Sequence, residues 1–307
     1  MKKIASLWDL LKATGNSWLD DRAPRMAAAL AFYMIFSIAP LLIIVIAIAG
    51  LVFGQDDVRT QIAAQISGLV GPSGTATVMA VIDAISKPSS SIIAAIIAIL
   101  TVLFGASGVF GELQDSLNTI WKVQPKPGRA VIGIIKERFL SFVMILVLGF
   151  LLLVSLVIST ALTAVGHYLN GMLIGSQYYL QSIDFVLSFL ITTLLFAMIY
   201  KILPDARVKW SHVWMGAAVT ALLFSLGKFL IGLYLGKSTM ASAYGAAGSI
   251  IIILIWVYYS AQILFFGAEL THCYAARQGR LPGPTENAMP APVPVPADRV
   301  GHAAKIK

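Results

Sequence analysis

The sequence predicts an all-α protein, a polytopic membrane helix bundle with six transmembrane helices and both termini in the cytoplasm. Three observations lead to this class: six long apolar segments, basic residues concentrated on alternate connections, and amphipathic segments between the spans. A helix rises about 1.5 Å per residue, so about 20 apolar residues cross a hydrocarbon core of about 30 Å. The predicted spans are Ala27–Phe53, Ser91–Phe110, Phe139–Val165, Ser182–Tyr200, Val213–Leu235 and Gly248–Ala268.

The basic residues predict the orientation of these spans. Eighteen of the 22 Lys and Arg residues lie in the N-terminal segment, the second and fourth connections and the C-terminal tail. The opposite side holds only Arg59, Lys87 and Lys237, and Lys228 lies inside the fifth span. Positive charges remain on the cytoplasmic side during insertion, so both termini should be cytoplasmic.

The same bias accounts for the net charge of +8. Basic side chains at helix ends meet anionic headgroups, at a gain of about 1 kcal/mol each. We therefore predict membrane lipids as partners, with anionic headgroups at the cytoplasmic face. A nucleic-acid partner is not needed to explain the charge.

The chain divides into three regions. Residues 1–26 carry an amphipathic pattern in which Trp8 and Trp18 suit the headgroup boundary, which predicts an interfacial helix. The alternative is an ordinary amphipathic helix packed on cytoplasmic loops. Residues 27–275 form the six-helix transmembrane domain. Residues 280–307 are rich in proline and poor in large apolar side chains, which predicts a disordered tail.

Two connections contain amphipathic segments of their own. In the outer connection Gln55–Pro88, the motif Gly71-Pro72-Ser73-Gly74 interrupts a helical pattern, which predicts two short helices that cap the bundle. Glu112–Val123 is predicted as a further amphipathic helix, ended by Pro125 and Pro127.

No cluster typical of an enzyme stands out. None of the four histidines is followed by a carboxylate or a second histidine at i+3 or i+4, and no nucleotide-binding loop is present. We therefore predict a protein that is not an enzyme, with no catalytic residue, metal site or cofactor. Gly105, Gly108 and Gly111 line one helix face, which indicates close helix packing or a hinge. Pro40 should kink the first span, as a gate or as a purely structural feature.

Lys228 is the most informative single residue. It lies in the outer half of the fifth span, where an ammonium group costs about 2.5–3.5 kcal/mol and usually faces a wet cavity. The alternative is that its long side chain reaches the outer headgroups. Asp184 enters the fourth span from the same side and is a candidate partner. Trp256 and Tyr259, near the middle of span six, either line a cavity or belong to the core.

A second group of polar residues is predicted at the cytoplasmic level. Glu269 ends span six there, too far in depth to pair with Lys228. The remaining candidates for a cytoplasmic polar cluster are Arg25, Glu112, Asp115, Asn118 and Arg138. The alternative is that these are solvated loop charges.

Several motifs together resemble the YihY/BrkB family of bacterial inner-membrane proteins. They are Ala27–Tyr33 with Ser37–Leu42, Glu112–Trp121, the run from Pro204 to Gly245, and Leu254–Leu270. The resemblance covers residues 5–275, implies location in the inner membrane, and suggests handling of envelope lipids or other amphiphiles. It also implies that Lys228, Tyr244 and Glu269 occupy positions of the family pattern.

Members of that family carry the labels virulence factor and ribonuclease BN. Hydrolysis of RNA needs clustered carboxylates or histidines around metal ions, or a pair of histidines. The cytoplasmic segments show no such arrangement, so ribonuclease activity is disfavoured.

Three functions follow, in order of support. The first is a transporter or flippase of a lipid or other amphiphile in envelope biogenesis, passive or driven by an ion gradient because no ATP site is present. The second is a non-catalytic membrane scaffold, for which the basic face and interfacial helices suffice. The third is an intramembrane enzyme.

The bias in basic residues makes a topology prediction. Connections 111–138 and 201–212 should be cytoplasmic together with both termini, whereas 54–90, 166–181 and 236–247 should face the periplasm. Reporter fusions at each connection measure this directly. A fusion at residue 70 that reports a cytoplasmic location would contradict the prediction.

Overall fold

The computed structural model describes residues 2–86, 108–127, 176–237 and 246–292 of the 307-residue chain. The elements in chain order are α1 (Lys2–Asp20), α2 (Ala23–Phe53), α3 (Gln55–Ser86), α4 (108–120), β1 (Val123–Pro125), α5 (Ser176–Ile202), α6 (Trp210–Lys237), α7 (Ala246–Arg277) and β2 (Ala288–Pro290). The third predicted span and nearly all of the second lie outside these residues, as do Gly105, Arg138 and Tyr244.

Four predicted spans are helical over their whole length, and they are α2, α5, α6 and α7. Within the described ranges, three helices are long and apolar enough to cross a membrane: Ser182–Ile202, Trp210–Leu230 and Ile250–Arg277. The helical membrane class is therefore confirmed, while the count of six spans and the orientation stay predictions. The α2 helix continues through Pro40, and the predicted kink there also stays a prediction.

The outer connection differs from its prediction. The prediction of two short helices separated at Gly71–Gly74 is wrong, because α3 is one helix that contains Pro72 in its interior. A proline inside a helix costs about 3 kcal/mol. Val58 and Ile62 are buried before it, and Val78 and Ile82 after it. Burial of each such side chain contributes about 1.5–3 kcal/mol, so packing on both sides outweighs the cost of the proline.

Helices α6 and α7 approach closely through a reciprocal pair of Gly-x-x-x-Thr motifs. A Cβ added at Gly216 of α6 would overlap Thr271 Oγ1 and lie 2.8 Å from the Gly267 carbonyl oxygen. A Cβ added at Gly267 of α7 would overlap Thr220 Oγ1. Each threonine hydroxyl donates to the carbonyl of its own glycine, at 2.7 Å for Thr220 and 2.8 Å for Thr271. Small residues let the two backbones meet, as in other membrane helix pairs.

Tyr200 joins α5 to this pair. Its hydroxyl donates to the Leu264 carbonyl oxygen at 2.7 Å and lies 2.8 Å from Thr220 Oγ1. The ring is fully buried and stacks on Phe196, which in turn meets Phe224 edge to face. The three antiparallel helices α5, α6 and α7 therefore share one core.

The N-terminal helix α1 packs on α7 by one face and leaves another exposed. Leu10 is buried against Leu270 and Cys273. Four large apolar side chains of α1 are exposed, with Trp8 at 69%. This arrangement combines both sequence interpretations, because the helix packs on the bundle and also presents an apolar surface suited to a membrane interface. The exposed apolar residues are Leu7, Trp8, Leu11 and Leu19.

Helix α4 confirms the predicted amphipathic helix, with Leu113, Leu117 and Ile120 buried. It ends before the two prolines that were expected to stop it. Lys122 adopts a left-handed conformation, with φ of 56°, and Val123 then enters β1.

Segments distant in sequence meet at one end of the bundle, called here the basic end: α1, residues 120–127, residues 203–209 and residues 278–292. Strands β1 and β2 pair antiparallel, with Val123 opposite Pro290. The Arg207 amide donates to the Gly283 carbonyl at 2.8 Å, and the Thr285 amide to the Asp205 carbonyl at 2.9 Å.

The prediction of a disordered tail is therefore wrong for residues 280–292. Backbone hydrogen bonds to two connections, rather than burial of large apolar side chains, order this stretch. Ala288 alone is nearly inaccessible, at 3%. Residues 293–307 lie outside the described ranges.

The reciprocal glycine contact makes a stability prediction. Gly267→Ala should destabilise the protein by about 1–3 kcal/mol, because a methyl group there forces α6 and α7 apart. The measurement is the temperature at which detergent-purified protein loses its monodisperse peak in size-exclusion chromatography. Gly15→Ala is the matched control, because no atom lies within 4 Å of a Cβ added on α1 there. Equal melting temperatures for Gly267→Ala and wild type would show that the contact does not limit the helix distance.

Candidate functional site

Helix α7 carries a buried carboxylate at the depth of its contact with α6, but on a different face of the helix. Glu269 lies between Gly267 and Thr271 on α7, and its side chain is completely buried. No hydrogen-bond donor among the described residues reaches either carboxylate oxygen, and the group that does approach it closely is another carboxylate, that of Asp21. Buried polar groups are almost always partnered, and an isolated buried carboxylate is costly. Glu269 is therefore the most unusual side chain in this part of the bundle.

Charged residues from two turns approach Glu269. Asp21, Lys122 and Asp20 are the charged groups that act on it. Asp21 and Lys122 form an ion pair in which Lys122 Nζ donates to both carboxylate oxygens. The Asp21 side chain is 11% exposed, so its carboxylate reaches beneath the surface.

Both turns depend on residues in the left-handed region. Arg22 has a φ of 55° and Lys122 a φ of 56°, and within the described ranges they are the non-glycine residues with positive φ. This conformation is uncommon for residues with a Cβ and costs on the order of 1 kcal/mol each. Arg22 joins α1 to α2, and Lys122 joins α4 to β1, so both turns place their charges under the end of α7.

Two further side chains complete the surroundings of Glu269. His272 and Cys273 follow it at i+3 and i+4, and one donor atom from each of the three residues lies within 4.8 Å of the others. His272 Nδ1 is buried and has no partner in the described part of the chain. The His272 ring meets Trp121 edge to face at 5.5 Å, and Cys273 Sγ lies 3.6 Å from Ser17 Oγ.

The sequence interpretation missed this constellation because it examined only positions after each histidine. Glu269 lies three residues before His272, and the two share one helix face. This spacing of Glu269 and His272 could have indicated the site from the sequence. The contributions of Asp21, Lys122 and Ser17 carried no sequence signal, because they come from elements distant in the chain.

The predicted cytoplasmic cluster is arranged differently. Arg25 and Asp115 are exposed, and Glu112 is half-buried. Burial raises the pKa of Glu112 above its ordinary value, with a smaller contribution from the Asp115 carboxylate. None of these residues is among the charged groups that act on Glu269. Arg138 lies outside the described residues.

Asn118, the buried member of that cluster, binds a residue that was not predicted. Its Nδ2 donates to Asp205 Oδ2 at 3.0 Å, and the Asp205 amide donates to Asn118 Oδ1 at 2.7 Å. Asn118 thereby connects α4 to the turn after α5. The residue has a structural role at the basic end.

Lys228 is exposed on α6, and Asp184 is half-buried on α5. Contacts between Tyr200 and Thr220 and between Phe196 and Phe224 set the register of these antiparallel helices. In that register Asp184 lies about eight residues, or about 12 Å along the axis, beyond the point opposite Lys228. No ion pair joins them within the described ranges.

The depths of Lys228 and Glu269 follow from the α6–α7 contacts. Gly216 opposite Thr271 and Gly267 opposite Thr220 place Glu269 near residue 218 of α6. Lys228 then lies about ten residues, or about 15 Å, further along the bundle. This distance confirms the sequence-based prediction that Glu269 is too far in depth to pair with Lys228.

The aromatic candidates have the contacts of a packed core. Trp256 is buried and meets Phe224 edge to face at 5.7 Å. Tyr259 is half-buried and covers Gly227, where an added Cβ would overlap its ring. Gly108 approaches Tyr33 of α2, with 3.0 Å between an added Cβ and Tyr33 Cδ1, which favours packing over a hinge.

These long apolar helices with polar groups at one end define a multi-pass helical membrane protein. The chain belongs to the family described as Virulence factor BrkB, whose family model matches residues 15–291. The family resemblance drawn from the sequence motifs is confirmed.

Curated relatives carry the name UPF0761 membrane protein. One from Pseudomonas aeruginosa (strain LESB58) is 30% identical over 259 residues, which are 83% of this chain and 60% of that protein. One from Tolumonas auensis is 28% identical over 278 residues, 86% of this chain and 87% of that protein. This chain thus spans 60% of the length of the Pseudomonas relative. No solved structure matches the chain.

The Asn118–Asp205 contact makes a testable prediction. Asn118→Ala should destabilise the basic end by about 1–3 kcal/mol, because it removes two hydrogen bonds and leaves a desolvated amide. Hydrogen exchange of residues 203–209, together with thermal unfolding, measures the loss. Thr119→Ala is the matched control, since the exposed Thr119 hydroxyl bonds only the Asp115 carbonyl in its own helix. Wild-type protection in Asn118→Ala would mean that backbone pairing alone holds the turn.

Proposed function

We propose that the protein is a transporter or flippase of an anionic amphiphile in the bacterial inner membrane, driven without ATP. The observation that carries the proposal is the position of Lys228. Ala217 and Ala221 are fully buried on α6, eleven and seven residues before Lys228. These intervals are close to whole helical turns, so the three residues share one face.

Lys228 is exposed, whereas Ala217 and Ala221 on the same face of α6 are buried nearer the basic end. A cation on a spanning helix costs about 2.5–3.5 kcal/mol unless it meets water or an anion. An accessible cation on a face that packs inward elsewhere is suited to receive an anionic headgroup from the outer leaflet. Leu226, Phe229 and Leu230 are exposed beside it, so Lys228 is reached from the outside of this part of α6.

Glu269 supports coupling to an ion gradient. Ionisable residues inside membrane helices commonly lie on ion or proton pathways. The Glu269 carboxylate is buried at the opposite end of the bundle from Lys228 and has acidic neighbours in Asp20 and Asp21. In transport coupled to an ion, Lys228 would bind the amphiphile and Glu269 would bind the ion.

The alternative remains a non-catalytic scaffold. The exposed apolar side chains of α1 beside the basic end favour it, because they would hold such a protein at a membrane surface. If the protein is a scaffold, Lys228→Met should not change the rate at which lipid crosses the membrane.

The test is lipid translocation in proteoliposomes that contain fluorescent phosphatidylglycerol, followed by reduction of the exposed label. Lys228→Met should fold, because loss of an intramembrane charge favours insertion, yet it should lose most of the translocation rate. Lys228→Arg should retain part of the rate, because the charge remains while its geometry differs. Lys209→Met, at an exposed residue of the basic end, is the matched control and should match wild type.

Two outcomes would contradict the proposal. If wild-type protein moves no labelled lipid, amphiphile transport is wrong for this headgroup class. If Lys228→Met equals wild type, the cation plays no part and the scaffold becomes the better conclusion.

A further inference from the structure

We infer that Glu269, His272 and Cys273 form a binding site for a divalent transition metal ion of the zinc type. The three residues occupy i, i+3 and i+4 on α7, so one helix presents a carboxylate, an imidazole and a thiol on one face. The site shares Glu269 with the ion coupling proposed above, but it lies about 15 Å along the bundle from Lys228. It would exist whether or not the protein moves lipid.

The distances suit a shared ion. One donor atom from each residue lies within 4.8 Å of the other two. In a tetrahedral zinc site, bond lengths of about 2.0–2.3 Å separate the ligand atoms by about 3.3–3.8 Å. Side-chain rotations that move the donor atoms by about 1 Å would bring them to these separations.

Unpartnered atoms give an independent reason for an ion. Among the described residues, no hydrogen-bond donor reaches Glu269 Oε1 or Oε2, His272 Nδ1 has no partner, and the Asp21 carboxylate adds a second acceptor beside Glu269. Glu269 is fully buried, so bulk water does not solvate its oxygens. Buried acceptors of this kind are rare unless a proton, water or metal ion occupies the space between them. A single cation would satisfy the carboxylate and the imidazole together.

The donor set selects the class of metal. A thiolate and an imidazole favour zinc and similar borderline metals, whereas Mg²⁺ and Ca²⁺ prefer oxygen ligands alone. Three protein ligands leave a fourth position open. Asp21, which approaches Glu269 and pairs with Lys122, is one candidate for the fourth ligand, and a water molecule is the other.

Metal binding would also tie α1 to α7. Cys273 contacts Ser17 of α1 at 3.6 Å, and Leu10 of α1 packs beside Cys273. A ligand that binds only the folded state raises its stability. Zn²⁺ at a hundredfold excess over its dissociation constant should therefore raise the melting temperature by about 5 °C or more.

The test uses Co²⁺ as a spectroscopic probe of the full chain, purified in detergent with a tag that contains no histidine and stripped with a chelator. Cys273 is the single cysteine of the chain, so a thiolate-to-cobalt charge-transfer band reports this site alone. We expect one Co²⁺ per chain with that band, and displacement of the band by Zn²⁺. Absence of the band in wild-type protein overturns the proposal.

Variants assign the ligands. Cys273→Ala should abolish the band, while His272→Gln and Glu269→Gln should each weaken Co²⁺ binding at least tenfold. His302→Gln and Glu112→Gln, which change a histidine and a carboxylate elsewhere, are the matched controls and should bind as wild type. Because Cys273→Ala also removes a buried side chain that packs against Leu10, its metal-free melting temperature is measured separately, and loss of the rise induced by Zn²⁺ reports loss of the ligand. Wild-type affinity in both His272→Gln and Glu269→Gln would overturn the assignment.

Discussion

The reciprocal contact between Gly216–Thr220 of α6 and Gly267–Thr271 of α7 is the constraint on which the rest of this bundle depends. The backbones meet so closely that neither glycine has room for a Cβ. Each threonine hydroxyl donates to a carbonyl of its own helix, and its oxygen lies against the facing glycine. In a membrane, where apolar burial does not distinguish lipid from protein, such close packing is the main source of helix association.

The polar side chains lie around this contact on other faces of the helices. Glu269 is two residues from both Gly267 and Thr271, about 200° around α7, so it faces Asp21 and Lys122 rather than α6. Tyr200 bonds Thr220 and the Leu264 carbonyl, which adds α5 to the pair. The carboxylate of Glu269 is instead met by the two turns at Arg22 and Lys122, which bring Asp21 and Lys122 beside it.

The bundle thus separates two kinds of charge along its axis. Glu269 lies at the basic end among buried donor atoms, and Lys228 lies about 15 Å away on an exposed part of α6. Phe196 and Phe224 pack against each other at a depth between the two charges, and Trp256 meets Phe224 from α7.

The sequence by itself determined the membrane class, four helices that contain the predicted spans, the amphipathic helix α4 and the family. These depend on local periods and lengths, which the bilayer thickness makes nearly independent of tertiary contacts. It also identified Glu269 and Lys228, because an ionisable residue near a spanning segment is conspicuous. Only the tertiary structure decided that Asn118 binds Asp205, that α3 continues through Pro72, and that residues 280–292 are ordered. Each of these depends on a partner distant in the chain, and hydrogen bonds or burial against that partner outweigh the local preference of proline and of polar residues for loops.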